Sequence, residues 1–106
     1  MTDPYRPWDL EDFGPKLRDW QQAAQPPDEV YALMAKWVES RRDNPYDGYR
    51  RHDEAMFGET FWRSQVKDEH QRPLMCHGRE VWCYYSVHEN ANAQEKRVVC
   101  EAFLSV

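Results

Sequence analysis

The hydrophobic positions of this chain change period once, near Gly58. Before that point they recur every three or four residues, the spacing of a helix with one apolar face; after it they alternate, as strands do. From Asp9 to Gln25 the stripe is Leu10, Phe13, Leu17, Trp20 and Ala24. Gly14-Pro15 interrupts it, and proline fits a first helical turn, where its missing N–H costs nothing. The pattern therefore predicts a turn over 9–13 and a helix from Pro15 to the stop at Pro26-Pro27. Asp28-Glu29 open a second helix with favourable negative charge, and Val30, Leu33, Met34, Trp37, Val38 and Arg41 carry its spacing. Arg41-Arg42 fall in its last turn and Asn44-Pro45 end it.

Three later segments read as strands: Thr60–Lys67, Glu80–His88 and Arg97–Val106. In the second, Val81, Cys83, Tyr85 and Val87 share one face, while Trp82, Tyr84, Ser86 and His88 share the other. Setting His88 opposite Arg97 aligns Val87 with Val98, Tyr85 with Cys100, Cys83 with Ala102 and Val81 with Leu104. That face is wholly apolar and predicts Tyr85 and Leu104 in the core; a slip of one residue would expose half of it. The same register puts Trp82 beside Phe103 and Tyr84 beside Glu101 on the far face, with ENANAQEK as a polar connecting loop. Successive strands usually pair. The expected fold is α+β over a single domain, 1–106: two N-terminal helices packed on one face of a three-stranded antiparallel meander sheet, with Glu80–His88 in the middle.

Composition narrows the class. Charged residues make up 31% of the 106 residues and mean hydropathy is −1.02, yet aromatics reach 14%, which separates the chain from disordered sequences. No apolar run approaches the roughly 20 residues that span a bilayer. MTDPYRPWDLEDF carries acids where a leader would carry an apolar core, so the expectation is a cytoplasmic protein without membrane contact. A net charge of −5 opposes general nucleic-acid binding, although Arg41-Arg42, Arg50-Arg51, Arg63, Lys67, Arg72 and Arg79 cluster. Cys76, Cys83 and Cys100 are odd in number. Six residues separate the first two, wider than the two to four typical of zinc hairpins, so they read as reduced core thiols. No metal and no cofactor is expected.

No phosphate-binding glycine loop, nucleophile elbow or HExxH motif is present. His70, His77 or His88, with Glu80, Glu89 or Glu101 and an arginine, contains the residue types of a metal-independent RNase. These positions lie in loops or at strand ends, so no catalytic set is defined and enzymatic activity stays open. The run Tyr46–Asp53 interleaves tyrosines with Arg50, Arg51 and His52, which suits base stacking or a protein hot spot. In a meander, Trp62 would neighbour Trp82 on the second face. The candidate partner-binding surface is therefore Trp82, Phe103, Tyr84 and Trp62, rimmed by Arg79, Arg97 and Arg63, with Tyr49, Arg50 and Arg51 contributed by the loop. The competing arrangement folds Met1–Leu10 back over that face with Tyr5 or Trp8.

The helix DEVYALMAKWVESRRDNPY, its proline stop, and the closing hairpin REVWCYYSVHENANAQEKRVVCEAFLSV together resemble the RelE/ParE superfamily of bacterial toxins. The resemblance spans residues 28–106, and Arg79, just ahead of the central strand, is the one family position carried over. Family members open with a strand before the helices, whereas MTDPYRPWDL holds two prolines. Most are basic, and the RNase members carry basic, histidine or tyrosine residues near the C-terminus, where this chain has AFLSV. The resemblance thus implies a toxin of the protein-targeting type, partnered by an antitoxin or a target enzyme, with a homodimer as a further arrangement. A second reading is an acidic inhibitor or immunity-type protein that blocks a basic enzyme through charge complementarity and aromatic anchors.

Overall fold

The computed structural model describes residues 7–51, 59–90 and 95–106. Helix α1 covers Phe13–Ala24, so Pro15 is its third residue and still lies in the tolerant first turn. Phe13, Leu17 and Trp20 are its buried stripe, and Gln25, in the left-handed region, closes it by donating to the Gln21 carbonyl. Helix α2 covers Asp28–Ser40, with Asp28 and Glu29 in the first turn and Met34, Trp37 and Val38 buried. Arg41 and Arg42 stand just past its end, in a tightened turn where their N–H groups reach Val38 and Glu39.

The expected three-stranded meander is replaced by a six-stranded mixed sheet. Its strands are β1 (Asp9–Glu11), β2 (Tyr49–Arg50), β3 (Glu59–Gln65), β4 (Met75–Cys76), β5 (Arg79–Asn90) and β6 (Glu95–Ser105). The order across the sheet is β1-β6-β5-β3-β2, and β4 pairs with the start of β5. The three expected strands are there, with β5 central, but three short ones are added. The turn expected over 9–13 is strand β1, which lies parallel to β6 with Asp9 opposite Arg97 and Glu11 opposite Val99. Two prolines upstream do not prevent this, because a three-residue edge strand needs few ladder donors. β5 and β6 both run further than their apolar pattern, into the stretch expected as a polar loop, and the rest of that stretch lies outside the described residues.

The β5–β6 register holds only in part. Val87 faces Val98 and Tyr85 faces Cys100 as the pattern requires. A β-bulge then intervenes, and beyond it Tyr84 faces Ala102, Cys83 faces Phe103 and Trp82 faces Leu104. Glu101 is the extra residue. It sends Phe103 into the core, edge-on to Phe13 at 6.3 Å and to Trp37 at 6.4 Å. Leu104, expected in the core, is 46% exposed. The physical reason is size: the space beneath both helices takes an aromatic ring, and the bulge supplies it without disturbing the upstream pairs.

Both helices cover the face that carries Val81, Cys83, Tyr85, Val87, Val98, Cys100 and Phe103. All three cysteines are buried free thiols, and Cys83 and Cys100 approach to 3.9 Å between sulfurs. Burial pushes the Cys83 thiol well up from its ordinary range. Tyr85 is fully buried and donates to the Pro45 carbonyl at 2.7 Å, fastening the sheet to the turn after α2. Among the described residues, no helix is long and apolar enough to cross a membrane.

Two measurements check this core. Phe103→Ala should cost about 3–5 kcal/mol, the range for a buried aromatic truncation, while Leu104→Ala should stay within about 0.5 kcal/mol. Denaturant titration that finds Leu104 the costlier of the two would put the register back to the unbroken ladder. The Tyr85 phenol, pushed up to about 12 by burial, keeps its proton where the unfolded chain loses it. Stability should therefore fall as pH rises from about 10 to 12, by on the order of 2 kcal/mol, and Tyr85→Phe should flatten that decline. Urea titrations at intervals across this window read both effects.

Candidate functional site

The face of the sheet away from the helices is built by strand parity. β5 presents Trp82, Tyr84, Ser86 and His88; β3 presents Glu59, Phe61, Arg63 and Gln65 opposite them. β2 adds Tyr49, paired with Arg63, and Arg51 follows it opposite Phe61. β6 contributes Arg97, Val99, Ala102 and Leu104, and β1 contributes Asp9 and Glu11.

Six of the ten sequence-derived partner-binding residues lie here: Tyr49, Arg51, Arg63, Trp82, Tyr84 and Arg97. Four do not. Phe103 is core, for the reason given by the bulge. Trp62 faces Tyr85 across β3–β5 and so points to the helix side, where it meets Tyr46 at 5.4 Å. Arg50 sits opposite Trp62, also on that side. Arg79 has the parity of Val81 and lines a cavity beside α1 with Lys16 and His77. His52 and Asp53, from the aromatic–basic run, are outside the described residues.

The open face divides into two halves of different chemistry. In the first, charges are matched. Arg51 crosses from β2 to Glu101, 2.9 Å away, with its guanidinium 5.2 Å from the Phe61 ring centre and 5.5 Å from that of Tyr84. It also donates to the Tyr85 carbonyl at 3.3 Å, where the bulge interrupts the ladder. Arg97 is held by Glu11 at 2.8 Å and by Glu95. His88 contacts Ser86 Oγ at 2.9 Å and Glu59 at 3.6 Å. Both of these contacts use Nε2, so the three residues do not form a relay in which one ring nitrogen serves the hydroxyl and the other the carboxylate.

The second half is largely apolar, with the Arg63 cation and the Glu80 carboxylate, which accepts from Trp82 Nε1 at 3.3 Å. Arg63 lies 5.8 Å from the Tyr49 ring centre and 5.5 Å from that of Trp82, and the two rings are 6.1 Å apart. Among the described residues Arg63 has no carboxylate partner. Beside Trp82 stands Leu104, and the next row holds Met75 opposite Glu80, which exchanges backbone hydrogen bonds with Val106. Tyr49, Met75, Leu104 and Val106 are 61%, 48%, 46% and 65% exposed. Four of the five large exposed hydrophobics among the described residues thus gather at one end of one face. Sequence alternation found Trp82, but Met75, Leu104 and Val106 depend on β4 and on the bulge, neither of which it signals.

Tyr49 reaches this position through a packed turn. Arg41, only 4% exposed, stacks on Trp37 at 4.3 Å and donates to the Asp47 carbonyl at 3.1 Å, which also accepts from Ser64 Oγ at 2.7 Å. Gly48 then passes so close to β3 that a Cβ there would meet the Arg63 carbonyl at 2.7 Å. A cavity of about 650 Å³ opens next to this turn, floored by Trp37 and Arg41 and rimmed by Lys36, Lys67 and Asp68. The Arg41 charge is already met by Asp47 at 3.7 Å.

Where it is described, the N-terminal segment does not fold back over the open face but joins the sheet edge through β1. Trp8 is buried on the helix side, edge-on to Tyr46 at 5.6 Å and hydrogen-bonded through its backbone N–H to Arg42. Tyr5 is outside the described residues. No group of three or more His, Cys, Asp or Glu side chains among the described residues could hold a metal ion. Compared with known proteins, the chain matches no family model, no curated protein and no solved structure.

Gly48→Ala tests how the patch is held. The added methyl forces β2 away from β3, so stability should drop by about 1–3 kcal/mol. Nuclear Overhauser contacts between the Tyr49 and Trp82 rings should weaken in the same variant. Undiminished contacts at full stability would mean that the close approach of Gly48 does not set the patch.

Proposed function

We propose that this chain is a toxin-like protein-recognition module that docks an acidic, apolar segment of a partner on the Tyr49–Arg63–Trp82–Leu104 end of its sheet. The observation that carries the reading is that aromatic and aliphatic surface is concentrated there around an arginine with no carboxylate partner among the described residues. Exposed apolar patches on small domains mark interaction sites, and desolvated aromatic–arginine clusters supply most of the binding energy where they occur. A partner carboxylate reaching Arg63 would complete a charge pair that no described residue makes.

Within this reading, the RelE/ParE resemblance supports a toxin neutralised by an acidic antitoxin. The strand β1 ahead of the helices fits the expectation that family members open with a strand. The inhibitor reading needs an acidic contact surface for a basic enzyme, and the apolar end of the open face offers a cation instead. The RNase reading needs a defined acid–base set beside its cations, yet Ser86, His88 and Glu59 form no relay, and Arg51 and Arg97 both engage carboxylates.

The test compares tagged chain with Arg63→Glu, Trp82→Ala and, on the opposite side, Arg50→Glu. A stoichiometric partner from the source cell should be lost with the first two variants and kept with the third, at unchanged melting temperature. Expression of the chain without that partner should arrest growth, and Arg63→Glu should relieve the arrest. Harmless expression together with capture of a basic enzyme would replace the toxin with the inhibitor. Capture indifferent to Arg63 and Trp82 would remove the docking site itself.

A further inference from the structure

We infer that the outer edge of β6 is a strand-addition site for an extended, acidic segment of a partner protein. This site lies on the β6 edge, meets the open-face patch only at Leu104, and does not depend on Arg63 or Trp82. β1 pairs with β6 only over Arg97–Val99, so among the described residues the stretch from Cys100 to Ser105 has a strand on one side alone.

The direction of its backbone groups follows from the ladder. Glu80 and Val106 exchange both N–H···O bonds, at 3.1 and 2.9 Å, which makes them a hydrogen-bonded pair. Antiparallel ladders alternate such pairs with non-bonded ones, so Trp82–Leu104 and Tyr84–Ala102 are bonded while Val81–Ser105 and Cys83–Phe103 are not. The N–H and C=O of Phe103 and Ser105 therefore point outward, a donor–acceptor row spaced for an incoming strand.

Charge selects what comes. A cavity of about 620 Å³ runs along this edge between β6 and α1, with Trp20 and Ala23 in its wall. Lys16, Arg79 and His77 line it against Asp19 and Glu101. Glu101 is engaged by Arg51, and among the described residues neither Lys16 nor Arg79 makes an ion pair. The surplus is positive. An added strand alternates its side chains between the two faces. One set would extend the apolar row of Ala102 and Leu104, and the other would bring carboxylates to Lys16 and Arg79. The bulge and the flanking charges are also devices by which natural edges resist indiscriminate pairing, so the edge favours a segment of the complementary sign.

The probe is a capped heptapeptide alternating valine and glutamate, titrated into the labelled full chain at low salt, with the valine–lysine peptide as its counterpart. The acidic peptide should shift the Phe103 and Ser105 amides and bind about tenfold more tightly than the basic one, as two exposed ion pairs provide. Lys16→Glu with Arg79→Glu should reverse that preference. Ser105→Pro, which deletes an outward N–H without touching the bonded pairs to β5, should abolish binding, and Arg63→Glu should leave it unchanged. Equal binding of both peptides, or shifts confined to the Tyr49–Trp82 patch, would overturn the assignment. So would concentration-dependent shifts of Phe103 and Ser105 without peptide, because the occupant would then be a second copy of the chain.

Discussion

The extra residue at Glu101 decides what each face of this protein is. Upstream of it, β6 alternates in step with β5, and Val98 and Cys100 face the helices. Glu101 and Ala102 then both lie away from the helices, and alternation resumes one residue out of phase. Phe103 thereby closes the core between α1 and α2, and Leu104 joins Trp82 outside. The bulge is fastened from the open side, where Arg51 reaches both the Glu101 carboxylate and the Tyr85 carbonyl. That pair is only partly exposed and stacked by two rings, so it resists screening better than an ordinary surface ion pair. Core composition, patch composition and the twist of the β6 edge follow from this one insertion.

The helices and the inward row of β5 were legible because they rest on period, whereas the six-stranded mixed sheet was not. Helix α2 itself ends at Ser40, ahead of the Asn44-Pro45 stop, but its stripe and acidic first turn were readable without tertiary knowledge, and so was the inward row Val81, Cys83, Tyr85 and Val87. The bulge was not, because both registers of β6 are locally reasonable. One buries Ala102 and Leu104, the other Phe103 and Ser105, and only the space left by Phe13 and Trp37 distinguishes them. β1 and β4 escaped for another reason. Two or three residues carry no detectable alternation, and the parallel pairing of β1 to β6 is settled by Trp8 packing against Tyr46 and binding Arg42, contacts distant in sequence.

The candidate site was legible to the same extent as the registers behind it. Trp82 followed from its own strand. Trp62 was placed beside it on the assumption that neighbouring strands share parity, but the segment between β3 and β5 is not a two-residue hairpin that would fix the offset. It contains the Lys67–Pro73 bridge and β4, and the resulting register sets Trp62 against Tyr85. Arg79 was misplaced by similar logic: adjacency to Trp82 in sequence puts it on the opposite face of a strand. Tyr49 and Arg63 came from separate clues, a loop and a strand, and nothing in the sequence said that Gly48 would bring them into register.

The division of the open face also reconciles an acidic chain with a cationic docking site. Net charge governs long-range steering, whereas a contact is governed by which charges remain unmatched when water leaves. Here Glu11, Glu95 and Glu101 engage Arg97 or Arg51, so those carboxylates present little field to a partner. Among the described residues Arg63 is matched by rings alone, and a ring face compensates a guanidinium less fully than a carboxylate does. Arg63 thus offers a positive charge on a chain whose total is negative, while the neighbouring Glu80 carboxylate is held by the Trp82 indole. A partner carboxylate buried against Arg63 would have both halves of its pair desolvated beside Tyr49 and Trp82, where hydrogen-bond geometry matters most. The tilted stacking of those rings holds the guanidinium in place before any partner arrives, which lowers the ordering cost of binding.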